Sequence, residues 1–524
     1  MQRLDELNTL TRAKYPIIYI ISWEERRIEE MLRQVAVGRR KKLYGWTLTN
    51  GIVPLDVVQT HPVDPSTRDP LHALDFVAYS EEAAIFVLKD FHPFLDDSRG
   101  GPDHPIIIRR LRDITNQLKE SRKTLIMLSP MLRIPNDLEK EITVLDYSLP
   151  TLDELETSLD RVVRSAREMA GVQLHMADDE REKVLAAARG LTCIEAENVF
   201  AKSLVMGRKL DLSIIIAEKE YLINRSRILE YYESVEGFSN VGGLGLVKQW
   251  LRTRGMAFSE KARRFGLPEP KGLLLLGVQG AGKSLLAKAV ASQWQLPLLR
   301  LDLGRVFSEL VGSSEQNIRA ALRLAENVSP CVLWLDEIEK GLSGATGSGS
   351  ADAGTSARVF GSLLTWMQEK TAPVFVIGTA NDISALPPEI LRKGRFDEIF
   401  FVDLPQLQER REIFAIHLAR RGRDPLEFDL NNLAMASDGF SGAEIEQAII
   451  DGLYDAFELD RELSDEDMFR NIKATIPLSK TMESKITALR QWAHKHARPA
   501  SEPPQPQPIY PNGQTALRQM ELNN

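Results

Sequence analysis

The sequence predicts an α/β protein: a parallel sheet with helices on both faces and a helical lid, preceded by a degenerate α/β module of the same plan. Three observations carry this. Apolar runs such as Ile17–Ile21 and Leu273–Leu276 alternate with amphipathic stretches, as buried parallel strands alternate with crossover helices. Leu273–Leu276 leads through a glycine-rich loop into a helical pattern. The order of elements in the second half also recurs in the first.

The glycine-rich loop organises the rest. Residues 271–289 read KGLLLLGVQGAGKSLLAKA, a strand, a phosphate loop and a helix in the order a P-loop requires. Glycines let several backbone N–H groups converge on one anion. The helix that starts near Lys283 adds the positive end of its dipole. This assigns nucleotide contacts to Gly277, Val278, Gln279, Gly280, Ala281, Gly282, Lys283, Ser284 and Leu285. Lys283 is expected at the β- and γ-phosphates, and the Ser284 hydroxyl at Mg²⁺. A chance match of the pattern is the bland alternative, and the flanking strand and helix argue against it.

The 524 residues are 43% hydrophobic, enough for two to four domains with cores of their own. A net charge of −8 gives no global bias toward nucleic acid or an anionic membrane. Two cysteines, Cys193 and Cys331, allow no disulfide framework or zinc pattern and suggest a reducing compartment. The opening MQRLDELNTL has no apolar core of a secretory signal, and no apolar run is long enough to span a bilayer.

In residues 1–235, Ile17–Ile21, Ala84–Leu88 and Leu125–Leu128 read as strands, Glu24–Val37 as a helix, and 202–232 as a closing helix. The stretch 123–159 repeats the strand, turn, helix, strand, proline, helix order of 373–413. AAIFVLKDF (83–91) parallels CVLWLDEI (331–338), and LTCIEAENVFAKSLV (191–205) parallels FSGAEIEQAIIDGLY (440–454). Duplication explains this better than two unrelated α/β domains. The first copy lacks the glycine loop and its lysine: its opening strand runs into Ser22-Trp23-Glu24-Glu25, whose acids would repel a triphosphate. In this alignment Asp90 keeps a carboxylate, while Phe91 stands where the second copy has Glu337. The front module therefore reads as a scaffold or partner-binding unit. Its run Arg39-Arg40-Lys41-Lys42, with Tyr44 and Trp46, has the interleaving that can bind single strands, but a solvated charge run is the simpler reading. Beyond 476 one helix, 481–495, precedes a proline-rich stretch, 501–513, expected to be extended or disordered.

Val332–Leu335 is a second apolar strand, ending in Asp336-Glu337. Asp336 can hold Mg²⁺ through its water shell, and Glu337 can polarise a water toward the γ-phosphate. Phe375–Ile377 ends near Asn381, an amide that can orient that water or simply serve a turn. Arg392 and Arg395 suit contact with a phosphate, or form a surface ion-pair cluster. If they serve a neighbouring subunit's ATP, the protein must form a ring.

With these elements assembled, the second half resembles the AAA ATPase family. The segment 238–244, FSNVGGL, is similar to the family's opening segment, which implies adenine contacts at Val241 and Gly242. Gly277–Ser284 resembles Walker A and Leu333–Glu337 Walker B. Asn381 matches sensor 1, Arg392 and Arg395 the paired arginines, and Gly439–Glu444 the start of the lid. There the resemblance implies nucleotide contacts from Gly442 and Ala443 in place of a sensor-2 arginine. The implied organisation is a degenerate AAA-like module at 1–235, an ATPase core at 236–424, a lid at 425–475 and a tail at 476–524. The cofactors implied are ATP and Mg²⁺, and the assembly implied is a ring of six acting on a protein client. The decayed copy in front of a working one resembles a cyanobacterial and plastid branch of the family, which implies the cyanobacterial cytosol or the plastid stroma. Leu310 stands where protein-threading members carry an aromatic, and a leucine grips less area. Three readings follow: a remodelling ATPase, an ATP-driven assembly switch with slow turnover, and a nucleic-acid motor, which the acidic charge and lack of a basic stripe argue against.

Overall fold

The computed structural model describes residues 2–55, 64–96, 103–147, 149–166, 176–225, 228–232, 237–258, 260–308, 314–342, 352–392 and 394–503. The chain divides into two compact units, Met1–Lys219 and Glu220–Asn524.

The first unit is built on six strands: β1 (Ile17–Ile21), β2 (Lys42–Thr47), β3 (Gly51–Pro54), β4 (Ala84–Lys89), β5 (Thr124–Ser129) and β6 (Ile142–Asp146). Their order is β3-β2-β4-β5-β1-β6, parallel except for β3 at the edge. The β1 residues Ile17–Ile20 are wholly buried, because the sheet is covered on both faces. Ile17 and Tyr19 face one core, and Ile18 and Ile20 face the other with the helix Glu25–Arg39. Helices Leu152–Ser165 and Cys193–Gly207 follow, each opened by a threonine–glutamate capping box. Trp46 is buried and donates Nε1–H to the Thr67 carbonyl at 2.7 Å, and Tyr44 stacks on Phe86. These aromatics serve the core, not a nucleic-acid platform.

The second unit has β7 (Leu229–Tyr232), β8 (Gly272–Gly277), β9 (Leu298–Leu301), β10 (Cys331–Leu335), β11 (Val374–Ala380), β12 (Glu398–Val402) and β13 (Arg498–Pro499). The order is β13-β12-β8-β11-β10-β9-β7, parallel except for β7. A smaller core gathers around the helices Leu407–Arg420, Leu430–Ala436, Gly442–Glu458 and Asp465–Ala474.

The two sheets share one plan. The central order β6-β1-β5-β4-β2 of the first repeats as β12-β8-β11-β10-β9 in the second, and each ends in an antiparallel edge strand. The capping box of Thr192 with Glu195 likewise repeats as Ser441 with Glu444. Duplication accounts for this correspondence.

Three expectations are corrected. The stretch 202–232 is not one helix: helices Cys193–Gly207 and Leu212–Arg225 are followed by β7, whose backbone pairs with β9. Strand pairing with a distant partner overrides the local helical pattern. The weak pattern past 476 hides β13, which extends the second sheet beside β12. Ala500 then donates to Phe401 O and accepts from Leu246 and Val247, so the helix Glu483–His496 leads into a segment stitched to the core. Third, the one-to-one match of Asp90 with Asp336 slips by one. Asp90 and Glu337 both adopt left-handed φ (51° and 46°), and each precedes a buried apolar residue, Phe91 or Ile338. Lys89 therefore stands in the place of Asp336, and Asp90 in that of Glu337.

Candidate functional site

The sheet of the second unit brings its motif residues to the strand tips. β8 ends at Gly277, where a Cβ would lie 1.9 Å from Val402 O, so only glycine lets β12 pass this close. The Val278 N–H is spent on that same Val402 carbonyl at 3.0 Å. Gln279 is exposed, Ala281 is half-buried, and Gly280 and Gly282 take left-handed φ of 74° and 91°. Space is open where a Gly282 side chain would stand. The helix Lys283–Trp294 starts here, and Leu285 packs against the core.

Lys283 is buried, and its Nζ donates to Gly277 O (2.9 Å) and Val278 O (2.7 Å). Burial pulls its pKa down to about 8, while the carboxylates of Glu339, Glu337 and Asp336 pull the other way. The ammonium thus holds the loop carbonyls, and it could exchange them for phosphate oxygens. Two consequences of opposite sign follow. ATP binding to the free protein is expected to weaken as pH rises through about 8, because the neutral amine no longer attracts phosphate. Titration with a fluorescent ATP analogue from about pH 7 to pH 9.5 checks this. Burying the ammonium opposes folding below pH 8, and that penalty fades as pH rises toward the unfolded lysine value of about 10.4.

Asp336 follows β10. Its Oδ1 accepts the hydroxyls of Ser284 (3.1 Å) and Thr379 (2.8 Å). Thr379 also accepts the Glu337 N–H at 2.9 Å, which fixes the left-handed turn on which the two acids part. Asn381 Nδ2 donates to Glu337 Oε1 at 3.2 Å, and its N–H goes to Glu339 Oε1 at 2.9 Å. Glu337 is also ion-paired with Lys340. Thr379 and Glu339 carry no motif signal, and sequence reasoning passed over both.

The residues expected on the adenine side also converge. Val241 is buried, and a Cβ on Gly242 would meet Ile413 Cγ1 at 2.5 Å. Gly243 and Leu244 donate to Glu412 (2.8 Å) and Glu409 (3.0 Å) of the helix Leu407–Arg420. Ala443 N–H donates to Gly280 O at 3.1 Å, and Gly442 helps line a small cleft with Gly242, Leu244 and Ala281. The helix Gly442–Glu458 therefore starts against the phosphate loop. Arg392 is exposed, and the half-buried Arg395 donates to the Glu389 carbonyl. Both sit between β11 and β12, and among the described residues neither contacts Lys283 or Glu337. Leu310, with the rest of 309–313, lies outside the described residues.

The residues fit a nucleoside triphosphate with Mg²⁺. The glycine cradle has room over Gly282, and the Ser284 hydroxyl and Asp336 carboxylate lie within one hydrogen bond of each other. Ser284 and Asp336 would hold the ion. Bound there, Mg²⁺ would supply charge neutralisation on the phosphate oxygens.

The same positions in the first unit are inverted in charge. Glu24, with Glu25 next, stands at the start of the helix corresponding to Lys283–Trp294, and Lys89 takes the place of Asp336. Lys89 pairs with Glu25 at 2.9 Å and with Glu29. Glu24 is buried, accepts Cys193 N–H at 2.6 Å and pairs with Arg27 at 2.7 Å; Arg27 continues to Glu154 at 2.6 Å. A built-in carboxylate thus meets the N-terminus of the helix Cys193–Gly207, where the second unit presents the Gly280 carbonyl to Ala443.

Sequence comparison agrees with this geometry. Residues 273–404 match the ATPase family associated with various cellular activities (AAA). Residues 3–147 match the N-terminal domain, and 153–226 the second domain, of SpoVK-like AAA ATPases. The chain is 41% identical over 502 residues to the uncharacterized AAA domain-containing protein ycf46 of Pyropia yezoensis, covering 94% of this chain and 98% of that protein. The chain belongs to the AAA ATPase family. The ycf46 protein of Guillardia theta is 39% identical over 502 residues, 94% of this chain and 95% of that one. The Cell division cycle protein 48 homolog of Archaeoglobus fulgidus is 37% identical over 216 residues, 40% of this chain and 29% of its own length. The fold of this AAA protein is the expected one, a parallel P-loop sheet preceded by a degenerate AAA-like unit. No helix among the described residues is long and apolar enough to cross a membrane.

Proposed function

We propose that the protein hydrolyses Mg-ATP in its second unit and works as a ring that remodels or regulates a protein partner. The observation that carries this is the continuous set of contacts from Ser284 to Asp336, Thr379, Glu337 and Asn381. It holds Asp336 and Glu337 on one turn with different partners, which supports a metal-side role for the first and a water-side role for the second. Lys283 and the loop amides hold the triphosphate; Gly442, Ala443, Val241 and Gly242 shape the base and lid side. Glu337 takes a proton from water aimed by Asn381, and Arg392 and Arg395 of the neighbouring subunit meet the developing charge. The second unit turns over ATP, its lid at 425–475 moves with it, and the first unit holds the partner. The cyanobacterial cytosol or the plastid stroma is the compartment we propose, supported by likeness to the ycf46 proteins.

The test is Mg²⁺-dependent phosphate release from ATP by the full chain. Lys283→Ala is expected to lower both ATP binding and release by about 10²-fold or more, since it removes the buried cation from the phosphates. No release from the wild-type chain overturns the proposal.

A second reading has an observation of its own. The charge-inverted site of the first unit is closed by its own ion pairs and suits a rigid platform. In this reading ATP assembles the ring, and slow hydrolysis only resets it. An ATPase rate that stays flat when a bound partner is added favours the switch; a rising rate favours remodelling.

A further inference from the structure

Asp336 has a second carboxylate oxygen, and what holds it is not part of any motif. Oδ1 is taken by Ser284 and Thr379. Oδ2 faces Arg300 of β9, whose Nη2 lies 3.4 Å away. The other arm of the same guanidinium, Nη1, lies 3.3 Å from Glu230 of β7. Both contacts are long, so the cation is shared and not locked onto either acid. The Trp334 ring lies 5.2 Å from Arg300 Cζ, within cation–π reach, with Lys288 near the same ring. Glu230 is anchored in turn by Arg305 at 2.8 Å. Arg300 and Trp334 face each other directly in the parallel register of β9 and β10. The aromatic plate and the Mg²⁺-side acid therefore lie on the same face of the sheet.

We infer that Arg300 is a positioning residue for Asp336, shared between that acid and Glu230, so that strand β7 sets how strongly the site demands Mg²⁺. The inference rests on the ATP-site reading above. A cation against Oδ2 orients the carboxylate before metal arrives, and it also opposes a divalent cation nearby. Two substitutions then act in opposite directions. Arg300→Met removes the opposing charge and frees the carboxylate to turn: the free Mg²⁺ needed for half-maximal nucleotide binding falls, while kcat also falls. Glu230→Gln releases the guanidinium toward Asp336, and the Mg²⁺ requirement rises. Arg300→Lys keeps the charge and is expected to restore the wild-type requirement.

The experiment titrates free Mg²⁺ against binding of N-methylanthraniloyl-ATP by the full chain, which needs no turnover. Shifts of about threefold or more, down in Arg300→Met and up in Glu230→Gln, are expected for a partly exposed ion pair beside a metal site. General damage to the fold would weaken binding in both variants and would not tighten the metal response of one. Unchanged half-saturation in both, or a rise in Arg300→Met with no rescue by lysine, overturns the inference while leaving the ATP site standing. If the wild-type chain binds no nucleotide at any Mg²⁺ concentration, the ATP-site reading falls and this inference with it.

Discussion

Replacing Glu337 by glutamine is expected to lower phosphate release from ATP by about 10²–10⁴-fold, the usual worth of a positioned general base, while ATP affinity stays near the wild-type value. The substitution is local in shape. Glutamine keeps an oxygen for Asn381 Nδ2 to donate to, and the turn survives because it depends on the Glu337 N–H bonded to Thr379, a backbone donor. The left-handed φ of 46° is already borne by a side chain of the same length. What disappears is the basic oxygen that takes the proton. Binding is spared because Lys283, the glycine cradle and the Ser284–Asp336 pair are untouched. The same variant should stall with ATP in place and retain any protein client, so it is the form to use for capture. Undiminished phosphate release would falsify the assigned base.

Much of this site was legible because its chemistry sits in contiguous motifs at strand tips. Gly277, Gly280 and Gly282 are required by close approach or left-handed φ, and a backbone that demands glycine writes it into the sequence. Lys283, Ser284, Asp336 and Glu337 follow from the loop and the strand end. Thr379 and Arg300 were missed because each lies on a strand beside β10, and only the order and register of the strands bring it to a motif residue. Glu339 was missed because it lies on the short helix Ile338–Leu342, and only the fold brings the Asn381 N–H to it. The slip at Asp90 has a similar origin. Apolar runs align equally well at two offsets, and only the left-handed backbone and the alternation of faces decide between them. β7 and β13 are short edge strands whose existence depends on distant partners, so no local period announces them. The duplication was readable as an order of elements, yet its sharpest sign, charge reversal between Lys283–Asp336 and Glu24–Lys89, needed the two sheets side by side.

The second large effect concerns Arg392 and Arg395. Replacing both by alanine is expected to lower ATPase activity by about 10³-fold or more, the contribution of an arginine that meets transition-state charge. In this chain they lie on the segment between β11 and β12, with Arg395 directed to the Glu389 carbonyl and Arg392 exposed. Neither has a contact with Lys283 or Glu337 among the described residues, which suits a role in a neighbouring subunit's site. Mixing tests that role without any structure of the ring. A chain with both arginines replaced keeps its own Glu337; a Glu337→Gln chain keeps its arginines. Each alone is expected to be inactive. Coassembled, every site in which the first type supplies the acid and the second supplies the arginines is whole, so activity returns to a sizeable fraction of wild type and peaks near equal amounts. A cis arrangement gives no recovery at any ratio, because no single chain then holds a complete set. Salt sharpens the distinction. Contacts between subunits through exposed arginines weaken with ionic strength, so recovered activity should fall on dilution and at high salt together. No recovery at any ratio removes the shared site from the account and leaves the acids of each chain to work alone.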